Sequence, residues 1–136
     1  MKKYDLIVIG GGLTGCEIAY DLALQGKQPT IVEMKHDLIV SDKICLANTS
    51  YLRDYFKLHG TPVHLESTVC EIRENGVTVR HKDGTTEDIE ADSVIISAGY
   101  IPAPVSTKSV HVVGDAKSVG SLRTVIWQAW DVAMKL

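Results

Sequence analysis

The stretch Gly10-Gly11-Gly12-Leu13-Thr14-Gly15 decides the fold of this chain. It follows the apolar run Leu6-Ile7-Val8-Ile9 directly, and this run predicts a buried strand over Tyr4–Ile9 that ends at glycine. Apolar residues then recur at helical spacing over Leu13–Gln25, before a second short strand over Pro29–Glu33. Strand, helix and strand within so short a span predict a β–α–β unit with a right-handed crossover.

The glycine spacing fits G-x-G-x-x-G, and its position between a strand and a helix is the one that phosphate binding requires. Gly10 would permit the tight turn, Gly12 would let the backbone approach a pyrophosphate, and Gly15 would let the helix pack on the strand. The free N–H groups at the start of the helix, with its dipole, would then hold the phosphates. The alternative is a glycine-rich turn that binds nothing.

An acidic residue stands where such a site needs one. Glu33 ends the second predicted strand, where a carboxylate can bind both ribose hydroxyls of an adenosine. The same carboxylate would repel a 2′-phosphate, although Lys35 and His36 would offset part of that repulsion. We therefore expect NADH, with NADPH as the weaker ligand.

In the rest of the chain, the sequence predicts a series of short strands with one helix before them and one helix after them. Asn75-Gly76 and Asp83-Gly84 are strong hairpin signals and predict an antiparallel meander. The predicted elements are a helix from Ser41 or Asp42 to about His59, strands over Thr61–Leu65, Val69–Arg73, Val77–His81, Thr86–Ile89, Ser93–Ser97 and Val110–Val113, and a helix over Leu122–Leu136.

These elements predict an α/β class: a Rossmann-like three-layer fold with a parallel sheet plus an antiparallel β-meander. Prolines and serines are concentrated over Tyr100–Ser109 and indicate a boundary between two parts of the chain. We expect residues 1–100 to form a βαβ nucleotide-binding domain with the meander. Residues 101–136 would form a C-terminal strand and helix.

Length and composition exclude several classes of protein. A chain of 136 residues is too short for two complete dinucleotide-binding domains, or for a barrel of ~250 residues. A net charge of −3 without a basic block argues against nucleic acid as a partner. No apolar stretch approaches the ~20 residues of a membrane span. We expect a cytoplasmic protein with no membrane partner.

The cysteines and histidines predict neither a metal site nor a redox disulfide. Cys16, Cys45 and Cys70 are odd in number and far apart, as reduced thiols are. The five histidines show no metal-ligand spacing, and no residue stands out as a catalytic acid or base. The segment Leu13–Cys16 is similar to a lipoprotein cleavage site, but the glycines interrupt the preceding apolar run, so we expect no secretion signal.

Three segments together resemble the two-dinucleotide-binding-domain flavoproteins. Gly10–Ala19 is similar to their NAD(P)H-binding domain, because Glu17 and Ala19 match the form G-x-G-x-x-G-x-E-x-A. Leu13-Thr14 stands where the FAD-binding halves usually carry Pro-Ala. The segment Val94–Pro102 resembles their T/S-x-G-x-x-P motif, and Val110–Asp115 resembles the Gly-Asp motif that completes the FAD domain.

Within that superfamily, Val110–Leu136 looks most like the C-terminal end of old-yellow-enzyme-related NADH:flavin oxidoreductases, of the 2-enoate reductase or 2,4-dienoyl-CoA reductase type. Such enzymes also have an FMN barrel, an iron–sulfur cluster and an FAD domain. The barrel, the cluster cysteines, the FAD glycine motif and the redox cysteine pair of disulfide reductases are not in this sequence. The resemblance implies the nucleotide-binding portion of such an oxidoreductase, holding NADH for hydride transfer to a flavin held elsewhere and not catalytically complete alone.

The motif and the resemblance together yield a set of expected cofactor-binding residues. Glu17 and Gly99 would lie nearer the nicotinamide, and the resemblance places Asp115 at a flavin ribityl chain. The full set is Gly10, Gly11, Gly12, Leu13, Thr14, Gly15, Glu17, Glu33, Met34, Lys35, Ala98, Gly99, Gly114 and Asp115.

Two alternatives remain open. The opening segment 1–5 is similar to the start of an FAD domain, so the single site could hold FAD in a small module that does no chemistry. The last helix carries Trp127 and Trp130, which core packing would cover. If they are exposed, this face would dock on the flavin-containing domains of a larger oxidoreductase or form a homodimer.

Overall fold

The computed structural model describes residues 5–41, 44–104 and 110–136. The chain divides into two compact units, Met1–Ala98 and Gly99–Leu136. The first contains β1 (Asp5–Ile9), α1 (Leu13–Leu24), β2 (Gln28–Val32), α2 (Leu46–His59), β3 (Val63–His64), β4 (Ser67–Arg73), β5 (Gly76–His81), β6 (Thr86–Glu90) and β7 (Ser93–Ile96). The second contains a 3₁₀ turn (Gly114–Ala116) and α3 (Leu122–Ala133).

Four strands form the parallel sheet, in the order β3-β2-β1-β7. Ile7 in β1 pairs with Thr30 in β2 on one side and with Val94 in β7 on the other. β2 and β3 therefore lie on one side of β1, and β7, the last strand in the chain, lies on its other side. In open α/β sheets, ligands bind outside the carboxyl ends of the strands at such a switch point. Here the switch point is the end of β1, where the glycine loop begins.

The meander forms a second sheet in the order β4-β5-β6, as predicted. Its first turn lies one residue earlier than the Asn75-Gly76 signal indicates, because Arg73 pairs with Gly76 and only two residues separate them. Gly76 itself opens β5 with a φ of +147°, and a side chain there would collide with the carbonyl of Ile89. The second turn contains Asp83-Gly84 as predicted, with Asp83 Oδ1 accepting from the Thr85 N–H at 2.9 Å.

Alternate residues of β1 point to the two faces of the parallel sheet and so define three layers. Val8 packs on the helix side with Phe56 of α2, and both are buried. Ile7 packs on the other side with Val77 and Val79 of the meander. Each of these side chains contributes about 1.5–3 kcal/mol on burial, so both layers contribute to holding the sheet. The predicted Rossmann-like three-layer fold is confirmed.

The second helix begins later than predicted. It starts at Leu46 with Cys45 at the N-cap, and no side chain of the described residues caps it. Ser41 lies four residues before the N-cap residue Cys45, so the helix does not begin there, and Asp42 falls outside the described residues. Residues 34–41 form a loop instead, in which Leu38 and Ile39 are buried in the core and their carbonyls accept hydrogen bonds from Arg53.

The predicted strand over Val110–Val113 is wrong: the structure has no strand there. A strand requires a neighbour for its backbone N–H and C=O groups, and the described part of Gly99–Leu136 contains none. α3 begins as predicted, with Ser121 and Thr124 forming a capping box, and ends at Ala133 rather than Leu136. Within the described ranges, no helix is long and apolar enough to cross a membrane.

Candidate functional site

The glycine loop connects β1 to α1 through two glycines that the fold itself requires. Gly10 has a φ of +106°, and a Cβ there would collide with the carbonyl oxygen of Ser97, the residue directly after β7. A Cβ on Gly15 would collide with the carbonyl oxygen of Gly10. The start of α1 therefore lies close against the end of β1.

Gly12 differs, because the fold does not require a glycine there. Its φ of −69° and ψ of 178° suit any residue, and an added Cβ would meet no described atom within 4 Å. Gly12 is the N-cap of α1 and provides no side chain to bond the N–H groups of the first turn. The N–H groups of this first turn, which have no partner within the helix, therefore lie next to a Cβ position that no described atom approaches within 4 Å.

Glu33 links the second strand to the glycine loop. Its side chain is buried, with 7% of the residue exposed. Oε2 accepts from the Gly11 N–H at 2.6 Å, and Oε1 accepts from the Lys35 N–H at 2.8 Å. A carboxylate oxygen can accept two hydrogen bonds, so each of these oxygens retains capacity for a further donor. A Cβ on Gly11 would lie too close to Leu38 and Glu33, which explains why the second of the three consecutive glycines is also a glycine.

The fold brings the predicted residues of the first unit to one edge. Thr14 and Glu17 are exposed on the first turns of α1, with Leu13 half-buried between the loop and the core. Met34 and Lys35 are exposed directly after β2, and Ala98 is exposed just after β7. These positions follow the carboxyl ends of three neighbouring strands.

The remaining predicted residues, Gly99, Gly114 and Asp115, belong to the second unit. Gly99 is exposed with a φ of +91°. Gly114 has a φ of +64° and donates its N–H to Gln128 Oε1 at 2.7 Å, which ties the Gly-Asp turn to α3. The exposed Asp115 accepts from the Gly120 N–H at 3.1 Å.

A cavity of about 510 Å³ lies between the loop after β2 and α2, a feature that the sequence does not predict. Arg53 spans it, pairing with Asp37 at 3.3 Å and donating to the Leu38 carbonyl at 2.9 Å. The only sequence signal for this cavity is that the loop lining it follows Glu33 in the chain. Its lining residues are His36, Asp37, Ile39, Val40, Ser41, Ile44, Leu46, Thr49 and Arg53.

The three cysteines are free thiols in the structure. Cys16 is buried under the glycine loop, where Sγ donates to the Gly11 carbonyl at 3.4 Å. Burial raises its pKa to about 12, with the Glu33 carboxylate adding to the effect. Cys45 and Cys70 are exposed. Cys16 is thus a packing residue beneath the loop, because its thiolate is disfavoured at neutral pH.

Labelling with a chromogenic disulfide at pH 8 should therefore modify two thiols in the native chain and three in urea. A pKa of about 12 lowers the thiolate fraction of Cys16 by about 10³-fold relative to an ordinary cysteine, and burial blocks access as well. Cys45→Ser serves as the control and should lower both counts by one. Three fast equivalents in the native chain would contradict this description of Cys16.

The chain matches the family model for pyridine nucleotide-disulphide oxidoreductases over residues 1–126. It is 34% identical to cinnamate reductase of Clostridium sporogenes, over 96% of this chain and 21% of that protein. It is 32% identical to NADH oxidase of Thermoanaerobacter brockii, over 99% of this chain and 22% of that protein. The structure superposes on a 2-naphthoyl-CoA reductase with a TM-score of 0.78 at 23% identity, covering 100% of this chain and 22% of that one.

The chain thus spans about a fifth of the length of the curated relatives it matches. The match to the family model includes the glycine loop, Glu33 and the Gly-Asp turn, and the likeness to the solved 2-naphthoyl-CoA reductase is a likeness of fold. With the loop at the switch point of a parallel sheet, sequence and structure agree that this chain belongs to the pyridine nucleotide-disulphide oxidoreductase family.

Proposed function

We propose that this chain is the nucleotide-binding portion of an NADH:flavin oxidoreductase and that it holds NADH for hydride transfer to a flavin bound elsewhere in the protein. The observation that carries this proposal is the open space at Gly12, since the backbone and the described atoms there leave room for a Cβ, whereas a bound pyrophosphate would not. The family match supports a pyridine nucleotide and a flavin as cofactors.

The backbone of the glycine loop would bind the pyrophosphate through the free N–H groups at the start of α1. Glu33 would accept from the ribose hydroxyls with the capacity left on its two oxygens, and its bonds to Gly11 and Lys35 hold it in place for that role. Leu13, Thr14, Met34 and Lys35 would border the adenosine half, and Glu17 and Ala98 would lie toward the nicotinamide.

When bound, NADH supplies the hydride and the flavin accepts it, so the chemistry belongs to the cofactors. This chain would contribute binding and orientation, and we assign no side chain as a catalytic acid or base. Gly99, Gly114 and Asp115 would contact cofactor in the complete flavoprotein. We propose residues 1–100 as the nucleotide-binding domain and 101–136 as the tail of the FAD domain.

The second unit supports the idea that this chain works as part of a larger protein. α3 exposes large apolar side chains although its N-terminus is well capped. Such a contiguous face fits a partner surface better than solvent. We propose that flavin-containing domains of an old-yellow-enzyme-related reductase cover it, with a second copy of this chain as the alternative. The exposed residues are Leu122, Ile126, Trp127, Trp130 and Met134.

Calorimetric titration should show NADH binding at least tenfold more tightly than NADPH. Glu33 would lose its ribose hydrogen bonds and face a 2′-phosphate of like charge in NADPH, a difference of at least about 1.4 kcal/mol. Glu33→Gln removes the charge and keeps an acceptor for the Gly11 N–H. The variant should therefore reduce the ratio of the affinity for NADH to the affinity for NADPH.

Glu17→Gln is the matched control, because it removes an exposed carboxylate from α1 and should leave the ratio unchanged. Equal affinity for the two nucleotides, or tighter NADPH binding, would refute the role of Glu33. A yellow protein with flavin absorbance that binds neither nucleotide would instead support the FAD-binding alternative.

A further inference from the structure

Three potential metal ligands meet at a point outside the glycine loop. His64 ends β3, His81 ends β5, and Glu87 lies on β6. Glu87 Oε2 is 3.1 Å from His81 Nε2 and 3.7 Å from His64 Nδ1. One donor atom of each residue lies within 4.8 Å of the other two. The sequence predicts no metal site because the two histidines are far apart in the chain, and the fold brings them together.

Ser67 determines which nitrogen of His81 carries a proton. Its buried Oγ lies 2.7 Å from the Leu65 carbonyl and 3.0 Å from His81 Nδ1. A hydroxyl has one proton, and a carbonyl only accepts, so Ser67 donates to Leu65 and accepts from His81 Nδ1–H. In a neutral ring, His81 Nε2 then has a lone pair that faces the Glu87 carboxylate. A cation bound between His81 Nε2 and the Glu87 carboxylate would offset the repulsion between the lone pair and the negatively charged oxygen.

His64 brings a third potential ligand, Nδ1, to the same carboxylate oxygen of Glu87. Two imidazole nitrogens and a carboxylate oxygen form a common three-ligand zinc set. The bond from His81 Nδ1–H to Ser67 Oγ would orient the ring, as the outer hydrogen bonds of metal-binding histidines do.

We propose that His64, His81 and Glu87 bind a divalent transition-metal ion, with Zn²⁺ as the best fit to their nitrogen and oxygen donors. Tetrahedral zinc at about 2.0–2.1 Å from each ligand separates the ligands by roughly 3.3 Å. The observed 3.1 and 3.7 Å lie on either side of this value. Water would complete the coordination, since all three side chains are partly exposed.

The site would join the two sheets of the first unit. β3 belongs to the parallel sheet, and β5 and β6 belong to the meander. Because the folded chain brings the ligands together and the unfolded chain does not, bound metal should raise the thermal midpoint of unfolding. This proposal does not depend on nucleotide binding and can fail or succeed separately from it.

The test uses the tag-free full chain with Cys45→Ser and Cys70→Ser, which remove the exposed thiols as competing ligands. After treatment with a chelator, zinc chloride is titrated by calorimetry. We expect one equivalent to bind with a Kd of about 10 µM or lower, together with a rise in the thermal midpoint. His81→Gln and Glu87→Gln should each weaken binding at least about tenfold.

His111→Gln, in the second unit, removes a histidine that is not in the cluster and should leave the affinity unchanged. Circular dichroism of each variant establishes that the fold is retained. Absence of zinc binding, or an equal loss in the His111 variant, would overturn the proposal. Zinc binding that persists in both ligand variants would overturn it as well.

Discussion

Gly15→Ala is expected to destabilise the chain by about 3 kcal/mol or more, although alanine is the better helix former. Helix propensity alone would stabilise the variant by about 1 kcal/mol. The new methyl group, however, would collide with the Gly10 carbonyl oxygen, a backbone atom held by β1 and the Gly10 hydrogen bond to Val32. The collision therefore outweighs the propensity. Urea unfolding followed by circular dichroism measures the difference.

Gly12→Ala is the matched control for this experiment. The same methyl group, three residues earlier, meets open space at an ordinary φ of −69°. Its only expected cost is a poorer N-cap, about 1 kcal/mol or less. If Gly15→Ala were as stable as the parent chain or more so, α1 would not lie as close to β1 as the structure has it.

Gly12→Val should weaken NADH binding by about 100-fold or more while the chain stays folded. The φ and ψ of Gly12 suit a β-branched residue, and a Cβ there meets no described atom within 4 Å, so we expect the clash to be with the ligand. The isopropyl group would occupy the space through which a pyrophosphate reaches the N–H groups of α1. Calorimetry with NADH measures the affinity, and urea unfolding measures the stability.

Ala47→Val on the exposed side of α2 adds the same kind of bulk away from the loop and should leave the affinity unchanged. Gly12→Ala should fall between the parent chain and the valine variant, because it fills less of the space. Undiminished NADH binding by Gly12→Val would refute the pyrophosphate site. Loss of the folded structure would instead refute the claim that Gly12 is free of steric constraint.

These variants separate two reasons for glycine that look alike in the sequence. Gly10 and Gly15 are required by contacts within the chain, so their substitution acts on stability. Gly12 faces open space, so its substitution should act on binding. The motif G-x-G-x-x-G predicts all three positions, but only the structure distinguishes which of them the fold needs.

Local patterns were sufficient to predict most of the first unit. The apolar run at β1, the helical spacing of α1 and the two turn signals of the meander each depend on residues close in the chain. The same holds for the placement of Glu33 after β2. Element boundaries shifted by a few residues where tertiary contacts compete, as at Leu38 and Ile39, whose burial delays the start of α2.

What the sequence by itself determined is the β–α–β unit with its glycine loop and acid, because periodicity and glycine placement are local properties of the chain. The tertiary structure decided which residues far apart in sequence become neighbours. It left Val110–Val113 without a strand partner, and it brought His64, His81 and Glu87 together from three strands. Strand pairing and ligand clusters both depend on long-range contacts, and no local pattern encodes these.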